Sequence, residues 1–338
     1  MRRELATVER LTLERGPALV PCCYADNRED RWRRRHKTCG ALIPYKPNVG
    51  CPSCGHIQMR AQAPIPTQDS RILDRDTAIV DAATGEVVVV YVTTATHIAS
   101  ALLRSLRDVA WDKDVYWNVS TTTRLSGVAV THRTFGYQPP QPIRRRYGCC
   151  RSMFNTEYPE AMDVLGEFCR HSELVFRTHA EDVYNRTATA VRDKIGAAWL
   201  IAGTPWSSGI INQTAALPYH VDKGNIPTTW SAMLGCRHNV ADGLLHLADY
   251  DVYLPVHHGS ITIFDGQSVC HGVTPFRFTG NYASRVTVVV YAKQQMAKCA
   301  ADPADEARRA AIAVTEAEDR RLTGFRPKRP TRRRVLDA

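Results

Sequence analysis

No stretch of this 338-residue chain approaches the ~18 consecutive apolar residues that a membrane-spanning helix requires. The opening residues, "MRRELATVERLTLERG", alternate charged and apolar positions and lack the apolar core of a secretory leader. These two absences argue against a helical membrane protein or a secreted one and predict a soluble, cytoplasmic protein. No internal repeat is visible. Apolar periodicity is also scarce over residues 1–60, which are rich in Arg, Cys and Pro, so that segment needs a staple other than a hydrophobic core.

The length suits one large domain with an appendage, or two domains. A hydrophobic fraction of 44% and a charged fraction of 23% fit a globular protein. Without a secretory leader, the eleven cysteines predict thiols and metal ligands rather than disulfides. The net charge of +10 is clustered in "RWRRRHK" (31–37), "IRRRYGCCR" (143–151) and "RPKRPTRRR" (326–334). Three separate cationic clusters are the footprint of a polyanion, and nucleic acid is the expected partner.

"AQAPIPTQDS" (61–70) has the composition of a linker. Beyond it, "TAIVD" and "EVVVVYV" are β-branched runs joined by "AATG", which predicts a hairpin. "THIASALLRSLRDVAWD", "PEAMDVLGEFCRHSELVF" and "AEDVYNRTATAVRDKIGAAWLIA" carry apolar residues at helical spacing. The runs "GIINQTAAL", "WSAMLGC", "DVYLPVH", "SITIFDG" and "RVTVVVYA" then read as strands. Helices followed by many short strands predict an α+β domain built on an antiparallel sandwich or jelly roll. "THRTFGYQPPQPIRRRYG" (131–148) is Pro-rich, basic and aromatic, and reads as a loop against a nucleic-acid backbone, with Arg133 able to reach the site. Residues 301–322 predict a terminal helix, and the basic tail after it is too poor in apolar residues to order unless bound. The expected division is 1–62, 70–298, 299–324 and 325–338.

"HKTCG" (36–40) and "CPSCG" (51–55) share one local form, ligand-x-x-ligand-Gly. His36, Cys39, Cys51 and Cys54 would supply the four N/S donors of a tetrahedral zinc in a small N-terminal ribbon. Cys22 or Cys23 can replace His36 in a four-cysteine alternative. The plainer alternative is free thiols in a loop-rich segment.

"ALPYHVDKGNIPTTW" (216–230) contains His220-Val221-Asp222. If this is a strand, positions i and i+2 face one side and both side chains can reach one ion. His271 follows a strand and a turn in "SITIFDGQSVCHGVTPF", and Arg285 opens the next strand. Two histidines and a carboxylate leave half of an octahedron open, which suits non-haem Fe(II) with a co-substrate and oxygen; the same donors also suit Mn or Zn. An inward-facing Arg285 can hold a carboxylate bidentately. Asn225 by itself reads as a turn residue in "KGNIP". His257 and His258 read as turn residues rather than ligands. Cys149, Cys150, Cys169 and His171 form either a second zinc site or buried thiols, and Cys270 reads as packing.

These features resemble the TET/JBP branch of the 2-oxoglutarate/Fe(II) dioxygenases, which oxidise the 5-methyl group of pyrimidines in nucleic acid. "HVDKGN" resembles that branch's H-x-D-x-x-N, "HGVTPF" its distal His before x-x-T-P, and "RVTVVVYAK" its Arg-led strand ending in an aromatic. "WSSGIINQTAALPYH" fits the strand entering the motif. The resemblance extends over about residues 120–296 and implies a double-stranded β-helix core with flanking helices. It implies that His220, Asp222 and His271 bind Fe(II) and that Arg285 binds the 2-oxoglutarate carboxylate. It further implies that Asn225 hydrogen-bonds a base flipped out of duplex DNA and that Tyr291 stacks on it. Lys293 stands where the family often has a base-contacting histidine. The implied reaction of a monomeric enzyme converts 5-methylcytosine to 5-hydroxymethylcytosine, with further oxidation open. The alternatives are thymine hydroxylation, an oxygenase of proteins or metabolites, and a non-catalytic nucleic-acid-binding module.

Overall fold

The computed structural model describes residues 7–16, 24–25, 33–36, 42–44, 62–111, 131–142, 145–213, 216–222 and 224–323. The strands of the N-terminal half are β1 (Glu9–Leu13), β2 (Tyr24–Ala25), β3 (Arg33–His36), β4 (Leu42–Pro44), β5 (Arg71–Ile72), β6 (Thr77–Asp81), β7 (Val87–Val92), β8 (Thr131–Gln138) and β9 (Cys150–Arg151). Those of the C-terminal half are β10 (Ser208–Gln213), β11 (Ser231–His238), β12 (Val240–Asp242), β13 (Leu245–Leu247), β14 (Val252–Leu254), β15 (Ile261–Phe264), β16 (His271–Val273), β17 (Phe276–Phe278) and β18 (Ser284–Tyr291). The helices are α1 (Thr96–Ser105), α2 (Met153–Glu157), α3 (Pro159–His179), α4 (Glu181–Arg192) and α5 (Pro303–Thr323).

The predicted hairpin is present. Asp81 Oδ1 accepts the amides of Ala83 and Thr84, and Gly85 closes the turn at φ +70°. β6 and β7 belong to a nine-stranded sheet of order β1-β6-β7-β15-β11-β18-β10-β8-β9. A second sheet runs β16-β13-β14-β5. Alternation along the long strands sorts side chains between two cores. Val90, Val92, Ala232, Leu234, Val286, Val288 and Val290 face Ile98, Leu102, Leu165, Phe168 and Phe176 of α1 and α3. Their neighbours Val89, Tyr91, Met233 and Val289 face Leu245, Leu247, Val252, Leu254 and Val273 of the smaller sheet. The result is a helix layer, a large sheet and a small sheet, in agreement with the α+β sandwich expected. The two sheets enclose the face on which the candidate site lies.

Two expectations are corrected. Residues 131–138 form strand β8, paired in antiparallel fashion with both β10 and β9, rather than a loop. Phe135 is fully buried on the helix side, and Pro139–Pro140 end the strand because they lack N–H donors. Arg133 on this strand donates to Ala110 O, pairs with Glu157 at 3.4 Å and lies over the Tyr158 ring at 5.8 Å. Secondly, Cys149 and Cys299 are joined in a disulfide, Cα atoms 5.8 Å apart, against the expectation of thiols and metal ligands. The sheet edge and the chain leading into α5 meet only through tertiary packing, 150 residues apart. Cys149, Cys150, Cys169 and His171, weighed as a second zinc site or as buried thiols, do not converge on one centre. Cys169 is fully buried in the helix-side core, where burial raises its thiol pKa, and His171 bonds Thr94 Oγ1 at 2.9 Å.

β2, β3 and β4 form a small antiparallel meander, with His36 opposite Tyr24 along the backbone. Cys22, Cys23, Cys39, Cys51 and Cys54 lie outside the described residues, as does the 326–334 cluster. Among the described residues, no helix is long and apolar enough to cross a membrane.

Candidate metal centre

Leu217 lies against the small sheet, its carbonyl accepting Val273 N at 2.8 Å. There His220 forms an isolated antiparallel bridge with His271, His220 N to His271 O at 2.9 Å and His271 N to His220 O at 3.0 Å. The expected strand through His220-Val221-Asp222 is thereby corrected: Val221 and Asp222 are irregular, and Asp222 is held by its own amide, which donates to Gly266 O at 2.7 Å. The convergence survives because His220 is bonded to His271 at the start of β16 and Asp222 to Gly266 in the turn before it.

The ligand atoms of His220, Asp222 and His271 lie within 4.8 Å of one another, the one such group of three among the described residues. The two imidazole centroids are 4.3 Å apart, and His220 Nε2 is 3.8 Å from Asp222 Oδ1. Each imidazole has its other nitrogen committed. His220 Nδ1 lies 2.8 Å from Pro218 O and His271 Nδ1 lies 2.9 Å from Val269 O. A carbonyl only accepts, so each Nδ1 carries the proton and each Nε2 presents a lone pair to the centre. Burial, then the neighbouring His220, hold the His271 pKa down to about 4, so this imidazole is neutral near pH 7. Two imidazoles and a carboxyl group fit a divalent transition metal, iron included.

Two glycines make room. A Cβ on Gly266 would lie 2.3 Å from Asp222 Oδ2, and one on Gly272 would lie 2.9 Å from the Tyr219 ring. Thr274 and Pro275 of the T-P pair fasten the other side of β16. Thr274 N donates to Leu244 O and Gly243 N to Pro275 O, which leaves the Phe276 ring 4.9 Å from the Arg285 guanidinium. Arg285 is 1% exposed and stands opposite Arg237 in the β11–β18 register. Burial, and secondly Arg237, lower its pKa to about 10.

Arg285, Thr287, Val289 and Tyr291 share the face of β18 that turns to the small sheet. Tyr291 is half-buried, its hydroxyl pKa pushed up to about 12 by burial and by the negative Asp222. Asn225 and Lys293 are partners in a second isolated bridge, flanked by Ile226 N to Ala292 O and Gln294 N to Gly224 O, both at 2.8 Å. Asn225 is buried; its Nδ2 donates to Ser231 Oγ at 3.1 Å and its carbonyl accepts Gln267 Nε2 at 2.7 Å. Burial, then Arg146, lower the Lys293 pKa. The donors and Tyr291, and separately Asn225 and Lys293, are thus brought together. Arg133, engaged by Ala110, Glu157 and Tyr158, and Cys270, packed with Tyr219 and Ala63, form no part of the donor group. His258 bonds Ser100 Oγ at 2.8 Å in the turn expected of it.

No protein-family model and no curated protein matches this chain. Solved structures that resemble it include NgTET1 in complex with 5mC DNA, at 13% identity and a TM-score of 0.47 over 70% of this chain and 84% of that one. A 2OG-Fe(II) oxygenase family oxidoreductase from Burkholderia pseudomallei matches at 9% identity and 0.37, over 61% of this chain and 85% of that one. A prolyl-4-hydroxylase from Pseudomonas putida matches at 12% and 0.27, over 58% and 99%. Likenesses at these TM-scores carry no argument about activity; the side chains do.

Sequence reasoning passed over Gly266, Gln267, Ser231 and Ser207. Gly266 sits between a strand and a histidine in an ordinary turn, and nothing local marks its approach to Asp222. Ser207, whose Oγ accepts Lys293 N at 3.0 Å, is 86 residues from that lysine.

Proposed function

We propose that this chain is a 2-oxoglutarate- and Fe(II)-dependent dioxygenase that hydroxylates the 5-methyl group of 5-methylcytosine in DNA. The observation that carries the proposal is the His220–Asp222–His271 donor set, all ligand atoms within 4.8 Å, opposite the sheet face that bears the buried Arg285. Fe(II) and 2-oxoglutarate, when bound, supply the oxidation: one atom of O2 enters the methyl C–H bond and the other enters succinate as CO2 is lost.

The chain's own residues do the rest. His220 and His271 offer Nε2 because their Nδ1 protons are held by Pro218 and Val269. Three protein donors leave positions for a chelating co-substrate and oxygen. Arg285, a cation disfavoured by burial and by Arg237, is stabilised by a carboxylate brought against it. A methyl group inside the duplex cannot reach a donor set between two sheets, so the base must leave the stack. Tyr291 stays protonated beside Asp222 and offers its ring face to that base. With its Nδ2 given to Ser231, Asn225 has Oδ1 left to accept, and the Lys293 ammonium can only donate. An acceptor beside a donor complements the amino group and ring nitrogen of cytosine; thymine presents a carbonyl where cytosine has the amino group.

The test combines the protein with Fe(II), 2-oxoglutarate, ascorbate and methylated DNA, followed by digestion and mass spectrometry of nucleosides. 5-Hydroxymethylcytosine is expected. 5-Hydroxymethyluracil in its place moves the substrate to thymine. Failure to turn over 2-oxoglutarate with any DNA overturns the proposal and leaves a binding module. For the N-terminal segment we propose a zinc held by His36, Cys39, Cys51 and Cys54, with Cys22 or Cys23 as alternates to His36. Metal analysis of the full chain should find about one zinc per chain.

A further inference from the structure

The Cys149–Cys299 disulfide joins the residue before β9 to the segment that follows β18. Cys149 packs with Met296, Ala292, Trp199 and Ile226, all buried. Ile226 follows Asn225 directly and donates its amide to Ala292 O; Gln294 N returns a bond to Gly224 O. The bridge that carries Asn225 and Lys293 is therefore backed, one layer out, by side chains in contact with the disulfide. Glu306 adds a second tie. Its carboxylate, 4% exposed in the whole residue, accepts Cys149 N through Oε1 at 2.8 Å and Ala300 N through Oε2 at 2.7 Å, one bond to each arm of the cross-link. Trp199 Nε1 donates to Ala300 O at 2.6 Å. His220 and His271 bond each other, Pro218 and Val269, and Asp222 bonds Gly266; none of these residues belongs to the cluster around the disulfide.

We propose that Cys149–Cys299 is a redox-addressable latch on the Asn225–Lys293 bridge that leaves the metal donors in place. The latch is defined by the packing around the disulfide, and it rests on the proposed function only for what Asn225 and Lys293 contact. The sulfur open to attack is that of half-buried Cys299, since Cys149 is buried. A thiolate of a dithiol reductant attacks Cys299 Sγ. The S–S electron pair leaves on Cys149 Sγ, which takes up a proton. The reductant's second thiol then displaces Cys299 and closes its own disulfide. Two electrons and two protons pass to the protein, which ends with two thiols. Glu306 still bonds both amides, so α5 stays docked while residues 292–299 lose their covalent anchor and the bridge at Asn225 opens more often.

The experiment uses the full chain. Alkylation followed by non-reducing peptide mapping should recover residues 149 and 299 in one linked species. Amide hydrogen exchange is then compared with and without dithiothreitol, and in Cys149→Ser/Cys299→Ser. Peptides holding Ile226 and Gln294 should exchange on the order of tenfold faster after reduction, with those holding His220 and His271 unchanged. Cys150→Ser should respond as the wild type does. If the double variant does not fold, the dithiothreitol-treated wild type makes the same comparison. The proposal is overturned by free, alkylated Cys149 and Cys299 in unreduced protein. Unchanged exchange at Ile226 and Gln294, or an equal rise at His220 and His271, overturns it too. Binding of methylated duplex should weaken on reduction. Absence of duplex binding in both redox states, with the exchange response intact, counts against the DNA function and not against the latch.

Discussion

Gly266→Ala tests the metal centre through a residue that is not itself a ligand. The added Cβ would stand 2.3 Å from Asp222 Oδ2 and 3.0 Å from its Cγ, where ordinary contact begins at 3.4 Å. The carboxylate oxygen must therefore retreat by about 1.1 Å (3.4 minus 2.3) if the backbone holds. The backbone is pinned there by the 2.7 Å bond from Asp222 N to Gly266 O. Metal–ligand distances tolerate about 0.2 Å, so a carboxylate displaced this far no longer coordinates in its native position. Disturbing the support of a ligand typically lowers metal affinity by 10- to 100-fold, about 1.4 to 2.7 kcal/mol. The Asp222 side chain is 27% exposed and can swing outward, so fold stability should change by less than about 1 kcal/mol. Calorimetric titration of the metal-free protein with Mn(II) reads the affinity, and the urea midpoint reads the stability. Gly85→Ala, at φ +70° in open space, is the control: some loss of stability and no change in metal binding. Wild-type affinity in Gly266→Ala would refute the assignment of Asp222 as a ligand in this geometry.

Four further outcomes follow from the same structure. His220→Ala should abolish turnover while DNA affinity stays within about twofold, because phosphate contacts dominate binding; an equal loss of both would contradict the separation. Arg285→Lys keeps the charge but loses the planar fork, and the 2-oxoglutarate KM should rise roughly 10- to 150-fold, the worth of about 1.5–3 kcal/mol for a charge-assisted bond. Gly209→Ala drives a Cβ to within 2.2 Å of the buried Phe135 ring and should destabilise the fold by about 1–3 kcal/mol; an unchanged urea midpoint would show that the ring yields. Burial lowers the pKa of His179, His246, His257, His258 and His271 below the 6.5 of an ordinary histidine. Below about pH 6.5 the unfolded chain therefore binds protons that the folded one does not. Stability of the metal-free protein should fall from about pH 7 to about pH 5, and a flat or rising urea midpoint over that range would contradict it.

The candidate donors were legible residue by residue. H-x-D, the later histidine and the Arg-led strand name three donors and a cation, and the structure brings the three donors together. Helical spacing located α1, α3 and α4, the "AATG" turn located the β6–β7 hairpin, and residues 301–322 anticipated α5 to within two residues. These are local signals: apolar period and turn chemistry act through the φ/ψ preferences of neighbouring residues. The errors fall where composition and packing disagree. "THRTFGYQPP" is basic and Pro-rich, yet Phe135 fills the core and the prolines only end the strand. Cysteine count argued for thiols and metal ligands, yet the residue before β9 and the chain before α5 meet at Cys149 and Cys299. The strand assumed through His220 and Asp222 is absent, and their convergence comes from bonds to His271 and Gly266, 51 and 44 residues away in sequence (271 minus 220; 266 minus 222). By itself, then, the sequence determined which donors, acceptors and cations the protein owns and most of the elements that carry them. Tertiary structure alone decided that Gly266 crowds Asp222, that Lys293 lies beside Asn225, and that a disulfide backs that pair. Those distances depend on sheet register and chain crossing, which no local preference specifies.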